Sequence, residues 1–117
     1  MKIVEKPWGT EFIFGRVPGQ YVGKILFVEK GEVLSRQYHE KKEETLLIFS
    51  GAVQVEIDGK QHYVDTEHDN PIDVYRTFHI PPGTIHRIRA LEDSHIFEVS
   101  TDHLDDVVRL EDNYGRI

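Results

Sequence analysis

Hydrophobic and polar residues alternate over short runs along most of the chain. In the clearest run, Val53, Val55 and Ile57 alternate with polar residues and lead into the dipeptide Asp58-Gly59. Alternation with a period of two is typical of a strand with one buried face, and Asp-Gly is a preferred two-residue hairpin turn. This segment is therefore predicted to form a β-hairpin whose aliphatic residues face a core.

Other runs of the same kind end at glycine, proline or charged turn residues, and each is predicted to be a strand. Because these strands are short and separated by turns, the fold is predicted to be all-β, a small antiparallel barrel or sandwich. The last two runs are expected to pair with each other around a polar link. The predicted strands cover residues 10–17, 20–32, 43–51, 74–83, 85–91 and 94–101.

Two segments do not follow the alternating pattern. Residues 102–115 carry four aliphatic residues at spacings that suit one face of a helix, so a short C-terminal helix is predicted. These four residues are Leu104, Val107, Val108 and Leu110. Residues 65–76 form the longest polar link and are predicted to be a surface loop near the mouth of a barrel.

The composition is that of an ordinary folded domain. The chain has 117 residues, of which 38% are hydrophobic and 30% are charged. This length suits one hydrophobic core, so a single domain over residues 1–117 is predicted. The formal net charge of -7 argues against binding to nucleic acid or an anionic membrane, since both require a basic surface. The 14 lysine and arginine residues still allow a local site for a small anion.

The chain contains no cysteine, which excludes disulfides, thiolate metal sites and cysteine nucleophiles. A metal ion would therefore be bound by histidine, carboxylate, amide oxygen or water. The first residues include no apolar stretch of signal-peptide length, and no segment approaches the length of a transmembrane span. A cytoplasmic location is the resulting expectation.

Four polar residues are candidates for a metal site. Gln37 and His39 lie two apart, so on a strand they would face the same side; Glu44 begins the next strand, and His86 opens a later one. If the sheet closes on itself, the four side chains converge inside it. Two imidazoles, one carboxylate and one amide oxygen suit a divalent ion. A histidine among charged residues is also commonly a surface residue, and the spacing alone leaves that alternative open.

The same residues resemble the two sequence motifs of the cupin family. The second motif, Pro-x-Gly-x-x-His, is matched by residues 81–86, and the intervals of the first are kept at Gly31, Gln37, His39, Glu44 and Gly51. The resemblance implies a cupin-type antiparallel β-barrel, the double-stranded β-helix or jelly roll. It also implies a metal ion inside that barrel, bound by Gln37, His39, Glu44 and His86.

Further motifs narrow the resemblance to the C-terminal isomerase domain of type II (bifunctional) mannose-6-phosphate isomerases. The chain is similar to these domains at KPWG (residues 6–9), at LSRQYH (residues 34–39) and at DDVVRLEDNYGR (residues 105–116). The resemblance covers nearly the whole chain. It departs at residues 40–43, where the family carries a histidine-rich tract and this chain carries Glu-Lys-Lys-Glu, and this segment is expected to lie at the rim of the site.

The resemblance implies a metal-dependent aldose–ketose isomerase that converts mannose 6-phosphate to fructose 6-phosphate through an enediol. It implies a phosphorylated sugar as substrate, a homodimer, and one divalent ion, with zinc first and manganese, iron, cobalt and nickel as alternatives. The nucleotidyltransferase domain of the bifunctional enzymes is not found in this sequence, so guanylyl transfer is not expected. Such an isomerase needs an ion that polarises the carbonyl group, a base and a cationic phosphate site.

Five further residues are candidates for the base and the phosphate site. Lys24 could act as the base or contact the phosphate, or it could be a solvated strand lysine. His79 could line the cavity as an acid or base, or it could be packed or exposed. Arg87 matches an arginine of the family and is a catalytic candidate, although alternation turns it away from the metal, toward a structural salt bridge. Arg109 and Arg116 could bind phosphate bidentately or form exposed salt bridges.

Other functions remain open on the sequence alone. Two histidines and a carboxylate also form the facial triad of non-haem iron oxygenases, although Gln37 as a fourth ligand would fill a position that an oxygenase needs. A metal-cupin epimerase or a non-catalytic sugar-binding barrel is a further alternative, because one fold supports many activities.

Overall fold

The computed structural model describes residues 1–68 and 76–117, which are built almost entirely of β-strands and turns. The surface loop predicted over residues 65–76 lies largely outside these described residues. Within them, no helix is long and apolar enough to cross a membrane. The described strands are β1 (Lys2–Lys6), β2 (Gly9–Val17), β3 (Tyr21–Val28), β4 (Arg36–Tyr38), β5 (Glu44–Ser50), β6 (Ala52–Ile57), β7 (Lys60–Asp65), β8 (Thr77–Ile80), β9 (His86–Ala90), β10 (Ser94–Thr101) and β11 (Val108–Glu111).

The strands form two antiparallel sheets around one hydrophobic core. The first sheet has the order β1-β2-β3-β10-β5-β8, and the second has the order β11-β4-β9-β6-β7. Leu26 and Ile96 from the first sheet and Val55 and Ile88 from the second belong to one buried cluster. The all-β antiparallel prediction is therefore confirmed, because period-two alternation leaves each sheet one apolar face to pack against the other.

The predicted hairpin is formed by β6 and β7. Val53 pairs with Val64, and Ile57 pairs with Lys60 next to the turn. Both turn residues have positive φ angles, 49° for Asp58 and 80° for Gly59. These angles are those of a type I′ turn, whose twist matches the twist of the flanking strands.

The link between β9 and β10 crosses from one sheet to the other, so the prediction that these two strands pair is wrong. β9 pairs with β4 and β6, while β10 pairs with β3 and β5. Ser94 holds this crossing: the Ala52 N–H donates to Ser94 Oγ (3.2 Å), and Ser94 Oγ donates to the Glu92 carbonyl (2.8 Å). A short polar link has the same sequence pattern whether it closes a hairpin or joins two sheets.

The C-terminal segment does not form the predicted helix. Residues 108–111 form β11, which pairs antiparallel with β4, and Leu104 and Val107 lie in the irregular segment before it and line a central cavity. The extended form is favoured because β4 would otherwise leave an unpaired strand edge. The aliphatic spacing that suggested a helix instead places Leu104 and Val107 against the cavity.

We expect Gly9 not to tolerate a side chain. It opens β2 directly after the buried Trp8, with a φ angle of +150°, and a Cβ atom there would lie 1.9 Å from the Phe27 carbonyl oxygen. Because β2 and β3 are paired at this position, the backbones cannot separate freely. Gly9→Ala should therefore lower the free energy of unfolding by about 1–3 kcal/mol or more, as measured by urea denaturation. Gly15→Ala on the same strand is the control, since a Cβ atom there has no neighbour within 4 Å; equal losses in both variants would contradict the steric explanation.

Candidate metal centre

Three side chains with metal-binding atoms converge in a buried cavity between the two sheets. His39 follows β4, Glu44 begins β5 and His86 begins β9. One ligand atom from each lies within 4.8 Å of the others, and none of the three residues is more than 4% exposed. The convergence follows from the topology, because β9 pairs with β4 beside His39 and the short turn after His39 leads directly into β5.

Hydrogen bonds fix the orientation of both imidazole rings. His39 Nδ1 lies 2.5 Å from the Asp106 carbonyl oxygen, and His86 Nδ1 lies 2.9 Å from the Thr84 carbonyl oxygen. A carbonyl oxygen only accepts, so each ring carries a proton on Nδ1, and in the neutral form of the ring Nε2 holds the lone pair. Neither Nε2 atom has a hydrogen-bond partner among the described residues, although both are buried. Buried lone pairs held in this way fit a metal ion, since metal-binding histidines commonly donate their other N–H to a backbone carbonyl.

The local electrostatics favour the protonation states that a metal ion needs. Burial lowers the pKa of His39 below its ordinary value, which keeps the imidazole neutral near pH 7. Burial alone would raise the pKa of Glu44, but its contact with His86 and the positive charge of Lys42 outweigh that effect, and the pKa is lowered to about 2. Neutral imidazoles and an ionised carboxylate are the forms that bind a divalent cation. The residues present therefore fit the metal that the cupin motifs imply.

Gln37, the fourth predicted ligand, lies on β4 at the wall of the same cavity. Its Oε1 atom accepts a hydrogen bond from the Ser35 hydroxyl (3.3 Å), and its residue pairs with His86 across the two strands. The amide thus lies beside the imidazole of a candidate ligand. Its coordination of a metal stays a prediction.

Asp106 fixes the turn that connects two of the candidate ligands. Besides its carbonyl contact with His39, its carboxylate accepts hydrogen bonds from the backbone N–H groups of Glu40 (3.0 Å), Lys41 (2.7 Å) and Lys42 (2.8 Å). The C-terminal segment therefore holds the turn after β4 in place. Sequence reasoning missed this contact, because Asp106 lies 64 residues beyond Lys42.

The Asp106 carboxylate is expected to make stability depend on pH. Its hydrogen bonds with the backbone N–H groups of Lys41 and Glu40 lower the pKa of Asp106 from 3.8 to about 2. A carboxylate with a lowered folded-state pKa stabilises the fold above its unfolded-state value, and this contribution is lost as the pH falls toward the folded-state value. Urea denaturation at a series of pH values should show that Asp106→Asn is less stable than the wild type at pH 6, with a difference that shrinks from about pH 4 downward. A difference that stays constant to pH 3 would contradict this assignment.

Lys42 and Glu98 are two charged residues of the cavity that sequence reasoning missed. Lys42 Nζ lies 3.0 Å from Glu44 Oε2 and 3.0 Å from Glu98 Oε2, and all three side chains are buried. The expectation that residues 40–43 lie at the rim is therefore wrong for Lys42. Burial alone would lower the pKa of Lys42, but the charges of Glu98 and Glu44 outweigh it and raise that pKa. Burial and the nearby charge of Glu44 raise the pKa of Glu98.

The predicted base candidate Lys24 also lies in this cavity, which has a volume of about 100 Å³. Lys24 is 5% exposed, so it is not the solvated lysine of the alternative interpretation. Its Nζ atom lies 2.9 Å from Glu11 Oε1 and 3.9 Å from Glu98 Oε2. The cavity wall thus carries two buried lysines, Lys24 and Lys42, that contact three glutamates, and the less buried Lys6 also lines it.

The two predicted phosphate contacts, Arg109 and Arg116, reach the cavity from the C-terminal segment. They differ in how they are held. Arg116 binds Asp112 bidentately, with Nε 2.9 Å from Oδ2 and Nη2 2.8 Å from Oδ1. The buried Nε atom of Arg109 has no hydrogen-bond partner among the residues described here. Arg109 is therefore better placed than Arg116 to receive an anionic group of a ligand.

His79 lies outside the cavity, so the prediction that it lines the cavity as an acid or base is wrong. On β8 the residues Phe78 and Ile80 face the core, and alternation turns His79 to the outer face. There its Nε2 atom contacts Glu43 Oε2 at 2.5 Å, with both side chains at least half exposed. This pair has no access to the three candidate ligands on the other side of the sheet.

Arg87 also points away from the cavity, and its catalytic assignment is corrected to a structural one. Its guanidinium donates to the Leu34 carbonyl (2.9 Å), to Glu111 Oε2 (3.2 Å) and to Asn113 Oδ1 (2.9 Å). These bonds fasten the C-terminal segment to the second sheet. The physical reason is strand alternation, since Arg87 directly follows the inward-facing His86 on β9.

Comparison with known protein families shows which family the chain belongs to. The family model described as mannose-6-phosphate isomerase C-terminal matches residues 1–112. The chain belongs to this family. A mannose-1-phosphate guanylyltransferase of Klebsiella pneumoniae is 32% identical to it over 118 residues, and the alginate biosynthesis protein AlgA of Pseudomonas aeruginosa is 32% identical over 121 residues. Each alignment covers 97% of this chain and 23% of the relative, so the domain spans about a quarter of the length of these curated relatives.

Solved structures confirm the cupin fold that the two motifs predicted for this family member. KdgF from Halomonas sp. has a TM-score of 0.74 at 22% identity, with 90% of this chain and 89% of that chain covered. A RmlC-like cupin from Shewanella frigidimarina has a TM-score of 0.72 at 13% identity, covering 89% and 86%. The capsular polysaccharide assembling protein CapF from Staphylococcus aureus has a TM-score of 0.72 at 19% identity, covering 95% and 32%. At these identities the likeness establishes the fold alone.

Proposed function

We propose that this domain is a metal-dependent sugar-phosphate isomerase that converts mannose 6-phosphate to fructose 6-phosphate through an enediol. The observation that carries the proposal is the pair of buried Nε2 atoms of His39 and His86, which have no hydrogen-bond partner within residues 1–68 and 76–117 and lie with Glu44 in one cavity. The family membership of residues 1–112 supports the class of substrate. Both arguments concern the same cavity, because the motifs that identify the family supply its ligands.

His39, Glu44 and His86 would hold the metal, with Gln37 as the fourth protein ligand. Two nitrogen donors and two oxygen donors suit zinc first, and manganese, iron, cobalt or nickel also accept this set. When bound, a divalent ion polarises the carbonyl group of the open-chain sugar and stabilises negative charge on its oxygen. The protein's own contribution is to fix the donors: Asp106 and Thr84 orient the imidazoles, and burial keeps competing water away.

The phosphate group would be bound at the C-terminal side of the cavity. Arg109 supplies a buried guanidinium nitrogen that has no hydrogen-bond partner in the described part of the chain, and guanidinium binds phosphate bidentately. Arg116 supplies a second positive charge beside it, although two of its nitrogens are engaged by Asp112. A phosphorylated sugar would then lie between the two arginines and the metal ligands.

A non-catalytic sugar-phosphate-binding domain is the second candidate. Its support is the ammonium group of Lys42, which lies 3.0 Å from Glu44 Oε2 and supplies a positive charge to that carboxylate. In that case the cavity would bind its ligand through lysines and arginines alone. Tight binding of mannose 6-phosphate without turnover, with and without metal, would favour this function.

We also propose that the domain forms the homodimer that the resemblance implies. The outer face of the first sheet carries an apolar groove lined mainly by Phe14, Ile25, Leu47, Phe97 and Val99. Large exposed apolar patches on a soluble domain are typical of interaction surfaces. Light scattering of the purified protein should give twice the mass of the chain, and a monomer would contradict the proposal.

The function is tested by direct measurement of turnover. The purified protein is loaded in parallel with zinc, manganese, cobalt, nickel or iron, mannose 6-phosphate is added, and fructose 6-phosphate is followed by NMR. We expect conversion with at least one metal, no conversion after chelation, and full conversion by His79→Ala, whose side chain lies outside the cavity. Absence of conversion with every metal would refute the isomerase proposal for this substrate.

A further inference from the structure

Isomerisation requires a group that takes a proton from one carbon atom and returns it to the next, and most ionisable groups of the cavity are already engaged. His39 and His86 present their lone pairs to the candidate metal position. Glu11 Oε1 is held 2.9 Å from Lys24 Nζ. Lys42 lies between two carboxylates, so that loss of its proton would leave two buried negative charges together without a cation between them.

Glu98 differs from the other carboxylates among the described residues lining the cavity. The ammonium group 3.0 Å from it, that of Lys42, is shared with Glu44, whereas Glu11 has Lys24 at 2.9 Å and Lys6 at 4.0 Å, and the carboxylate of Asp106 accepts three backbone N–H groups. Glu98 lies on β10, where alternation turns it inward. It is opposite Lys24 on β3 and Leu46 on β5. Its position in the middle of the first sheet makes it part of a rigid element rather than of a loop.

Lys42 connects Glu98 to the candidate metal ligands. Its ammonium group lies at 3.0 Å both from Glu44 Oε2 and from Glu98 Oε2. Glu98 is not one of the side chains whose ligand atoms converge within 4.8 Å. The ammonium group of Lys42 therefore holds the Glu98 carboxylate next to the candidate metal ligands, although Glu98 is not one of them. A base in this position can reach a carbon atom next to a carbonyl group that the metal polarises.

We propose that Glu98 is the catalytic base of the isomerase, an assignment that rests on the proposed function. Its carboxylate takes the proton from C2 of the open-chain aldose phosphate; the C–H electron pair becomes the C1–C2 double bond, and the carbonyl pair moves to the C1 oxygen. A proton then passes from the C2 hydroxyl to the C1 oxygen. The Glu98 carboxyl returns its proton to C1, and the C2 carbonyl of the ketose forms. The carboxylate is regenerated, and no oxidant or co-reactant is required.

Glu98→Gln tests the assignment, with Glu43→Gln as a control that removes a glutamate of the outer face, outside the cavity. Conversion of mannose 6-phosphate, metal binding by calorimetry and exchange of the C2 proton in D₂O are measured for both. We expect Glu98→Gln to lower kcat by about 10²–10⁴-fold and to slow proton exchange in parallel, as for loss of a general base. Metal binding should be unchanged in both variants, and Glu43→Gln should keep proton exchange.

The possible results distinguish a wrong assignment of the base from a wrong proposal for the function. Turnover by Glu98→Gln within about tenfold of the wild type would overturn the assignment and leave the isomerase intact. No turnover by the wild type would overturn both. If Glu98→Gln does not fold, Glu98→Asp keeps the charge and moves the carboxylate back by one methylene group. We expect this variant to show a lower kcat and a larger isotope effect with C2-deuterated substrate, and an unchanged isotope effect would count against the assignment.

Discussion

Replacing Lys42 by methionine is expected to destabilise the metal-free domain by about 3–5 kcal/mol, the cost of leaving a buried charge without its partner. Lys42 is the cation that lies 3.0 Å from both Glu44 and Glu98, and both glutamates are about 95% buried. Methionine has a similar length but no charge, so the variant would keep the shape of the site and lose its electrostatic balance. The loss should be larger than for any exposed lysine of the chain.

Urea denaturation of metal-free protein measures this effect, with Lys41→Met as the control because Lys41 is the exposed neighbour of Lys42. Lys41→Met should change the free energy of unfolding by less than about 0.5 kcal/mol. Adding a divalent ion should restore part of the stability of Lys42→Met, since the metal supplies a positive charge to Glu44. Equal stability of the two variants would show that the ammonium is not the counter-ion of the buried carboxylates.

Removing one candidate ligand is expected to abolish tight metal binding. Glu44→Gln removes the only charged donor of the three, and His86→Ala removes one of two imidazole lone pairs. Because changes even in groups that only orient metal ligands weaken binding about 10–100-fold, loss of a ligand itself should cost at least about 100-fold. Turnover should be lost with the metal, since the ion supplies the carbonyl polarisation.

Calorimetric titration of zinc into each variant checks this expectation. Glu43→Gln and His79→Ala serve as controls, because these two residues contact each other on the outer face next to the same strands. The controls should bind metal as the wild type does and show the same rise in melting temperature when metal is added. If Glu44→Gln and His86→Ala both kept stoichiometric metal, the ligand assignment would be wrong.

The parts of the fold that were predicted correctly depend on local sequence. The hairpin of β6 and β7 follows from alternation and from Asp58-Gly59, whose positive φ angles suit that turn. The convergence of His39, Glu44 and His86 follows from motif spacing, because strands of fixed geometry bring fixed intervals to one place. In both cases the deciding residues lie within a few positions of one another or within recognisable motifs.

The parts that could not be predicted depend on contacts between distant segments. Lys42 turns inward because Asp106 holds the backbone of residues 40–42, a contact that no local pattern indicates. Residues 108–111 form a strand because β4 offers them an edge. Both errors concern the C-terminal segment, whose position is set by the rest of the fold.

The charged side chains buried around the candidate ligands affect both the stability of the fold and the binding of a ligand. Two lysines and three glutamates in one small cavity are costly to bury unless they neutralise one another. Their arrangement as neighbouring pairs, Lys24 with Glu11 and Lys42 with Glu44 and Glu98, meets that condition. The proposed binding of a charged sugar phosphate would explain why such groups are retained inside a domain of this size.

The most direct test of the central claim is anomalous X-ray diffraction from crystals grown with the metal that supports turnover. The account predicts one strong anomalous peak in the cavity, bonded to Nε2 of His39, Nε2 of His86 and the carboxylate of Glu44, with Lys42 moved away from that carboxylate or retained only on Glu98. A cavity without a peak at saturating metal, or a peak bound by other residues, would contradict the account.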